Sequence, residues 1–268
     1  MSDDFQRERD ESISQYSTDA SLQEAMARFR DESIRARYSY NFDWLGRPII
    51  QYPQDIVAMQ ELVWQVRPDL IIETGIAHGG SIIFSASMMA LLEYCDAATG
   101  GEEPVAVTAK RKVLAIDIDI RAHNRAAIET HPMFNRIDMI EGSSIDEATI
   151  SRVHEYAAPF KNVLVVLDSN HTHDHVLAEL EAYAPLTSIG SYCVVFDTII
   201  EDLPDSFFAD RPWGVGNNAK TAVHEFLETN SARKRQGADG SPLDFRIDTA
   251  IHDKLLITAA PSGYLRRV

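Results

Sequence analysis

The sequence predicts an α/β fold with a mostly parallel, seven-stranded sheet, helices on both faces and an antiparallel hairpin at the C-terminus. Short, almost purely apolar runs alternate with segments of helical periodicity from about residue 55 to residue 197. Five such units follow one another, and consecutive units of this kind give parallel strands because each strand is joined to the next through a helix. With 268 residues, 45% of them hydrophobic, the chain can bury one substantial core.

The elements divide the chain into an N-terminal helical extension, residues 1–48, and one α/β domain, residues 49–268. The extension is polar and acidic, and the spacing of Leu22, Met26, Phe29 and Ile34 predicts one amphipathic helix. In the domain, helices are predicted over residues 56–66, 81–94, 122–130, 144–157, 175–184 and 219–228, and strands over 70–73, 113–117, 137–141, 163–167, 192–196, 245–248 and 255–259. Residues 96–112 lack an apolar period and are predicted to form an exposed loop.

The net charge of −16 disfavours nucleic acid and anionic membranes as partners, because both require a basic surface. The apolar runs are shorter than the roughly 20 residues of a membrane span, and the N-terminus is charged where a signal peptide is basic and then apolar. We therefore expect a cytoplasmic protein without a transmembrane segment. Cys95 and Cys193 are far apart in sequence and are expected to be reduced and structural.

A glycine-rich turn follows the first strand of the domain, where residues 73–81 read Glu-Thr-Gly-Ile-Ala-His-Gly-Gly-Ser. Glycines let backbone approach a ligand closely, and a helix N-terminus offers free N–H groups. The spacing differs from the Gly-x-Gly-x-x-Gly pattern of dinucleotide sites, which favours S-adenosylmethionine (SAM) over a nicotinamide cofactor. The residues expected to contact SAM are Glu73, Gly75, His78, Gly79 and Ser81. The alternative is an ordinary strand-to-helix turn.

Two more polar positions follow the next strands. Asp117 is placed to accept hydrogen bonds from ribose hydroxyls, with Asp119 as the competing residue. Ser144 is placed to contact an adenine ring, although it is also a suitable helix cap with Glu147 three residues later.

Asp168 and Asp197 each follow a nearly pure apolar run and are predicted to lie side by side at the same edge of the sheet. Hard divalent cations such as Mg²⁺ take oxygen ligands, so this pair predicts part of a metal site. A cation there would lower the pKa of a substrate hydroxyl and hold it in line for transfer. Helix capping by the two acids is the alternative.

The loop after Asp168 carries three histidines, and His171 is the predicted general base for a hydroxyl proton. Zinc bound by Asp168 and these histidines is a competing interpretation that the spacing does not favour. His173 and His175 are expected to be solvated. Trp213 and Tyr52 are candidate walls of a substrate pocket.

Four segments carry a resemblance to a known family: residues 52–55 (Tyr-Pro-Gln-Asp), 68–75 (Pro-Asp-Leu-Ile-Ile-Glu-Thr-Gly), 78–81 (His-Gly-Gly-Ser) and 117–124 (Asp-Ile-Asp-Ile-Arg-Ala-His-Asn). Together they resemble the cephalosporin hydroxylase and rhamnosyl O-methyltransferase family, over about residues 51–227. The resemblance implies a Rossmann-like class I methyltransferase fold for residues 49–268, SAM as donor, Mg²⁺ dependence, acceptor hydroxyls on sugars or glycosylated natural products, and a homo-oligomer.

By position, the resemblance implies SAM contacts at Glu73, Gly75 and Asp117 and metal ligands at Asp168 and Asp197, with Asp168 also beside SAM and in the catalytic group. Relatives carry two adjacent acids after the fifth strand, whereas here Phe196 precedes Asp197. Thr198, Asn170 or a water is the expected third ligand. His171 is similar in placement to the base of catechol-type O-methyltransferases. A non-catalytic SAM- or nucleotide-binding protein and a nicotinamide-dependent oxidoreductase are the alternative functions.

Overall fold

The computed structural model describes residues 3–101 and 109–268. It begins with two helices, α1 (Asp3–Tyr16) and α2 (Ala20–Arg35), followed by a small antiparallel sheet of β1 (Phe42–Trp44) and β2 (Arg47–Ile49). The helix predicted from Leu22, Met26, Phe29 and Ile34 is confirmed as α2. The further helix α1 was not predicted, and none of its residues is buried. Asp19 separates the two helices by capping α2, where its side chain accepts a hydrogen bond from Leu22 N at 3.0 Å.

The main sheet has seven strands in the order β5-β4-β3-β6-β7-β9-β8, and the pairs among β3 to β7 are parallel. Its strands are β3 (Leu70–Thr74), β4 (Lys112–Asp117), β5 (Ile137–Glu141), β6 (Val163–Leu167), β7 (Tyr192–Val195), β8 (Phe245–Ile247) and β9 (Tyr264–Arg267). The remaining helices are α3 (Pro53–Val66), α4 (Gly80–Gly100), α5 (Ala122–Glu129), α6 (Glu147–Ala157), α7 (His173–Tyr183), α8 (Ala219–Arg233) and α9 (Thr249–Leu255). The predicted fold class is confirmed.

Every residue of the two central strands, β3 and β6, is buried, as expected for parallel strands covered on both faces. Alternate residues belong to separate apolar clusters. Ile71 packs with buried residues of α3 and α4, whereas Ile72 packs with residues of α6, α7 and α8. The carboxyl ends of β3, β4, β5, β6 and β7 therefore meet at one edge, where ligands bind in folds of this type.

Helix α4 is longer than predicted, since it continues to Gly100 and ends with Gly101 in the left-handed conformation at φ +71°. Residues 96–100 were wrongly predicted as loop, and residues 102–108 of that predicted loop lie outside the described part of the chain. By length and composition α4 is apolar enough to cross a membrane, but half of that stretch is buried inside the protein. This is the pattern of a core helix.

The C-terminal antiparallel pairing is confirmed, although its second strand lies later than predicted. Residues 249–255 form α9, capped by Asp248, and β9 begins at Tyr264 and pairs with β7 and β8. The predicted strand at residues 255–259 was wrong because a short apolar run does not by itself distinguish a helix end from a strand.

Candidate functional site

Three predicted residues meet at the carboxyl edge of the sheet. Asp168 follows β6, Asp197 follows the neighbouring β7, and His171 comes from the loop between β6 and α7. One ligand atom of each lies within 4.8 Å of the others. His171 Nε2 is 3.0 Å from Asp197 Oδ2, so the imidazole and one carboxylate form a hydrogen-bonded pair. The sheet topology thus places two carboxylates and an imidazole around one small volume.

The site holds more negative than positive charge. Burial raises the pKa of Asp168 well above its ordinary value, and the nearby carboxylates of Asp197 and Glu73 raise it further. Burial by itself would raise the pKa of Asp197, but the adjacent His171 has the larger effect and lowers that pKa. Burial lowers the pKa of His171, yet the attraction of Asp197 leaves that pKa raised. A bound cation would relieve the repulsion between the carboxylates.

The donors fit a hard divalent cation better than a soft one, since two carboxylates dominate the set and the described cysteines lie elsewhere. Thr198 was an expected third ligand. Its hydroxyl is buried and donates a hydrogen bond to Pro261 O at 2.7 Å, so it is already engaged with the backbone. The assignment of metal ligands stays a prediction.

Local backbone and ring contacts fix the orientation of this cluster. Asp197 adopts φ +55°, a left-handed conformation that non-glycine residues rarely occupy and that often marks functional sites. The ring of Trp213 meets the imidazole of His171 edge to face, with centroids 4.7 Å apart. The guanidinium of Arg211 lies over the ring of Trp213, 5.4 Å from its centroid. The predicted pocket wall at Trp213 is therefore in contact with the predicted base.

Tyr52, the other predicted pocket wall, is buried and contributes to the core instead of lining an open surface. Its hydroxyl is 2.7 Å from Ser33 Oγ of α2, which attaches the N-terminal extension to the domain next to the site.

The glycine turn between β3 and α4 runs against the sheet edge that carries Asp168. Gly75 has φ +92°, and a Cβ there would collide with the backbone carbonyl of Asp168. Gly80 lies equally close to the carbonyl of Pro48. The glycines were predicted to allow a close approach of backbone. At these two positions the approach is made to neighbouring segments of the same chain. His78 and Gly79 lie in the turn, and Ser81 in the first turn of α4.

Two residues that the sequence interpretation did not assign hold this turn in place. Arg47 Nε donates to the carbonyl of His78 at 2.9 Å, and Arg47 Nη2 donates to Asn124 Oδ1 at 2.9 Å. Asn124 Nδ2 in turn donates to the carbonyl of Ala77 at 2.8 Å. Asn124 lies within the quoted segment 117–124, but Arg47 could not be found from sequence because its role depends on where β2 docks.

Asp117 also binds the turn. Its carboxylate accepts hydrogen bonds from the backbone N–H groups of Ile76 at 2.8 Å, Ala77 at 3.3 Å and Asp119 at 3.0 Å. Asp119, the competing candidate for the ribose, is exposed. The structure therefore gives Asp117 a role in shaping the turn, whereas the exposed carboxylate of Asp119 lies 4.0 Å from Arg121 Nε.

Glu73 is buried and lines a cavity between β3, α3 and α4, where its carboxylate is hydrogen-bonded to Ser81. Ser85 Oγ donates to Glu73 Oε2 at 3.4 Å, and burial raises the pKa of Glu73 to about 7. Gln51, Asp168 and Phe196 line the same cavity, so Glu73 shares it with a predicted metal ligand, Asp168.

Ser144 is buried, and its hydroxyl is 3.1 Å from His175 Nε2. Its alternative role as a helix cap is not observed, because α6 begins at Glu147 with Asp146 at the cap position. His175 also contacts Ser169 Oγ at 3.2 Å, and Ser169 donates to the buried Glu179 at 2.6 Å. His173 bonds to Thr221 at 2.8 Å, so neither histidine is simply solvated as expected.

The chain matches the family model described as Rhamnosyl O-methyltransferase/CmcI over residues 36–268. The rhamnosyl O-methyltransferase of Mycobacterium bovis is 29% identical over 215 residues, covering 80% of this chain and 73% of that protein. The Mycobacterium leprae rhamnosyl O-methyltransferase is 27% identical over 225 residues, covering 84% and 82%. A solved structure of CmcI with Mg and SAM has a TM-score of 0.52 at 16% identity, covering 85% of this chain and 77% of that one, which supports the fold.

Proposed function

The chain belongs to the Rhamnosyl O-methyltransferase/CmcI family, and on that premise we propose that it transfers the methyl group of SAM to a sugar hydroxyl with the help of a divalent cation, preferably Mg²⁺. The predictions of the family and of a SAM-dependent O-methyltransferase are confirmed. The observation that carries the proposed mechanism is the cluster of Asp168, His171 and Asp197 beside the glycine turn.

SAM would be held along the turn that Gly75, His78 and Gly79 form, with Asp119 or Asp117 at the ribose and Ser144 near the adenine. The clamp of Arg47 and Asn124 keeps the turn in one conformation before SAM binds. A rigid turn loses little conformational freedom on binding, which favours affinity. SAM supplies an electrophilic methyl group.

Asp168 and Asp197 would hold the cation, which supplies the positive charge that acidifies a nearby hydroxyl. His171 would accept the proton of that hydroxyl at the ring nitrogen that does not donate to Asp197, because Nε2 is hydrogen-bonded to Asp197 Oδ2 at 3.0 Å. The edge-to-face contact with Trp213 keeps the imidazole from turning away. Proximity to two carboxylates would stabilise the imidazolium that forms. The acceptor oxygen would then bond to the methyl carbon of SAM as the carbon–sulfur bond breaks and S-adenosylhomocysteine leaves.

The acceptor is proposed to be a rhamnose or related deoxysugar, free or within a glycosylated natural product. The mycobacterial relatives are named for a rhamnosyl acceptor, and this is what supports the proposal. Trp213 can offer its ring face to the apolar side of such a sugar, next to the base.

Association of this chain with copies of itself, a cytoplasmic location and the absence of nucleic-acid and membrane partners stay predictions. The division at residues 48 and 49 is likewise a proposal. Size-exclusion chromatography with light scattering tests the first of these directly.

The experiment that tests the function is methyl transfer from radiolabelled SAM to a panel of rhamnosides, other 6-deoxysugars and catechol, each with Mg²⁺. We expect label in a rhamnoside or another 6-deoxysugar, at a hydroxyl that product NMR identifies. Transfer to catechol alone would contradict a sugar acceptor. Tight binding of NADH with no binding of SAM would contradict the methyltransferase function itself.

A further inference from the structure

Gln51 carries a buried amide oxygen, Oε1, that has no hydrogen-bond partner among the described residues. The residue as a whole is 8% exposed. Burying an amide oxygen without a partner costs on the order of 1–3 kcal/mol. We therefore expect a bound partner to satisfy this atom.

The other end of the same amide contacts the proposed metal site. Gln51 Nε2 donates to Asp168 Oδ2 at 3.2 Å. The two ends of an amide group are nearly equal in size, so a half-turn about the last side-chain bond would put Oε1 at this distance from the carboxylate. Two oxygen ligands on neighbouring positions of a Mg²⁺ ion lie about 3 Å apart, since each is about 2.1 Å from the metal.

The backbone around Gln51 is fixed. Ile49, two residues before it, ends β2 and is buried, and Tyr52 after it is buried and bonded to Ser33. The side chain lines the cavity that Asp168 and Phe196 also line. Phe196 is apolar and provides no metal ligand. A coordination position of the cation on the side of this cavity is therefore open to an oxygen of Gln51.

Charge supplies a further argument. The proposed ligands Asp168 and Asp197 already place two carboxylates at the site, with Glu73 in the adjoining cavity. A third carboxylate would increase the repulsion in the metal-free protein, whereas an amide oxygen is a neutral ligand of the type that hard cations accept. In the metal-free state the amide can donate to Asp168, and in the metal-bound state it can offer its oxygen.

We propose that Gln51 is a direct oxygen ligand of the divalent cation, alongside Asp168 and Asp197. The inference rests on the metal dependence in the proposed function. It assigns a ligand to a side chain that precedes the first helix of the domain, far in sequence from the strand ends where ligands are sought.

The test is Mn²⁺ binding to the full-length protein, measured by the loss of the free-ion electron paramagnetic resonance signal. Gln51→Met keeps the size of the side chain and removes the oxygen, and it should weaken Mn²⁺ binding at least about tenfold. Gln51→Glu keeps an oxygen and lacks the N–H donor, and it should bind Mn²⁺ as tightly as the wild type or more tightly. Gln60→Met on the exposed face of α3 is the matched control.

SAM affinity by calorimetry shows whether each variant keeps its fold. If Gln51→Met binds Mn²⁺ within twofold of the wild type, the inference is overturned. If Gln51→Glu is weakened as much as Gln51→Met, the amide acts only by orienting Asp168 through its N–H, and direct ligation is overturned. If the wild-type protein binds no Mn²⁺, both this inference and the proposed metal requirement are overturned. If that protein still transfers methyl groups without metal, the proposed transferase function stands.

Discussion

At the scale of single residues, the proposed proton transfer depends most on the placement of His171 between Asp197 and Trp213. Proton transfer by a well-placed base contributes roughly 10²- to 10⁴-fold to a rate. His171→Gln should therefore lower kcat by a factor in that range and leave the Kd for SAM within threefold.

The matched control is His224→Gln, an exposed histidine on α8, which should leave kcat unchanged. Single-turnover methyl transfer and calorimetry supply the two measurements. A His171→Gln enzyme with nearly wild-type kcat would show that another group takes the proton.

Glu73 gives a pH-dependent prediction, because burial raises its pKa from 4.5 to about 7. As the pH rises from about 4.5 through about 7, the unfolded chain releases this proton before the folded protein does, so the contribution of Glu73 to stability falls by about 3 kcal/mol. Glu73→Gln removes the ionisation. Its free energy of unfolding, relative to that of the wild type, should rise by about 2–3 kcal/mol between pH 5 and pH 8.

Urea unfolding at several pH values measures this difference, with the exposed Glu228→Gln as control. A difference that stays flat across this pH range would mean that Glu73 is ionised in the folded protein at pH 5, in conflict with its buried position.

Strand-end acids were predictable from sequence because a buried apolar run followed by Asp has few other interpretations. Asp168 and Asp197 could be paired once the strands were taken as parallel neighbours. Gln51 and Arg47 could not be found in this way. Their contacts depend on how β1, β2 and the following loop dock on the sheet edge, and no local pattern encodes that docking.

At the scale of elements, the close approach of β3 and β6 depends on Gly75. Gly75→Ala should lower the free energy of unfolding by at least about 3 kcal/mol, because the left-handed φ costs roughly 1–2 kcal/mol and the new methyl group also collides with the Asp168 carbonyl. Gly240→Ala is the matched control, since Gly240 has φ +77° and open space around it.

Chemical denaturation of both variants separates the cost of the left-handed backbone from the cost of the collision with the Asp168 carbonyl. Equal losses of stability in the two variants would show that the strand ends can move apart without cost. The larger loss expected for Gly75→Ala would support a rigid contact between the glycine turn and the sheet edge at Asp168.

Elements with a clear apolar pattern were the ones that could be predicted. The strand at residues 163–167 matches β6 to the residue, since all of its residues are buried. The helix predicted around Leu22 to Ile34 is α2, but α1, which buries none of its residues, was missed. The predicted strand at 255–259 was wrong, because its first residue ends α9, a helix of seven residues capped by Asp248. Contacts with distant parts of the chain decide such elements.

At the scale of the whole molecule, α1 and α2 differ in how they join the domain. The exposed α1 meets α9 at the surface, whereas Ser33 of α2 bonds to the buried Tyr52 next to the site. Removing residues 1–18 should therefore lower the Tm by less than about 5 °C and preserve SAM binding.

Differential scanning calorimetry of the shortened protein provides the measurement. Aggregation or the loss of a cooperative transition would mean that α1 is required by the folded assembly, and that the boundary at residue 48 divides one folding unit.

The most direct test of the central claim combines metal removal with the loss of one ligand. Wild-type protein stripped by a chelator should transfer methyl groups from SAM to its sugar acceptor only after Mg²⁺ is restored. Asp168→Asn should remain inactive with Mg²⁺ while its Kd for SAM stays within a few-fold of the wild type. Full methyl transfer by Asp168→Asn, or by the stripped wild type without Mg²⁺, would contradict a metal-assisted mechanism at this site.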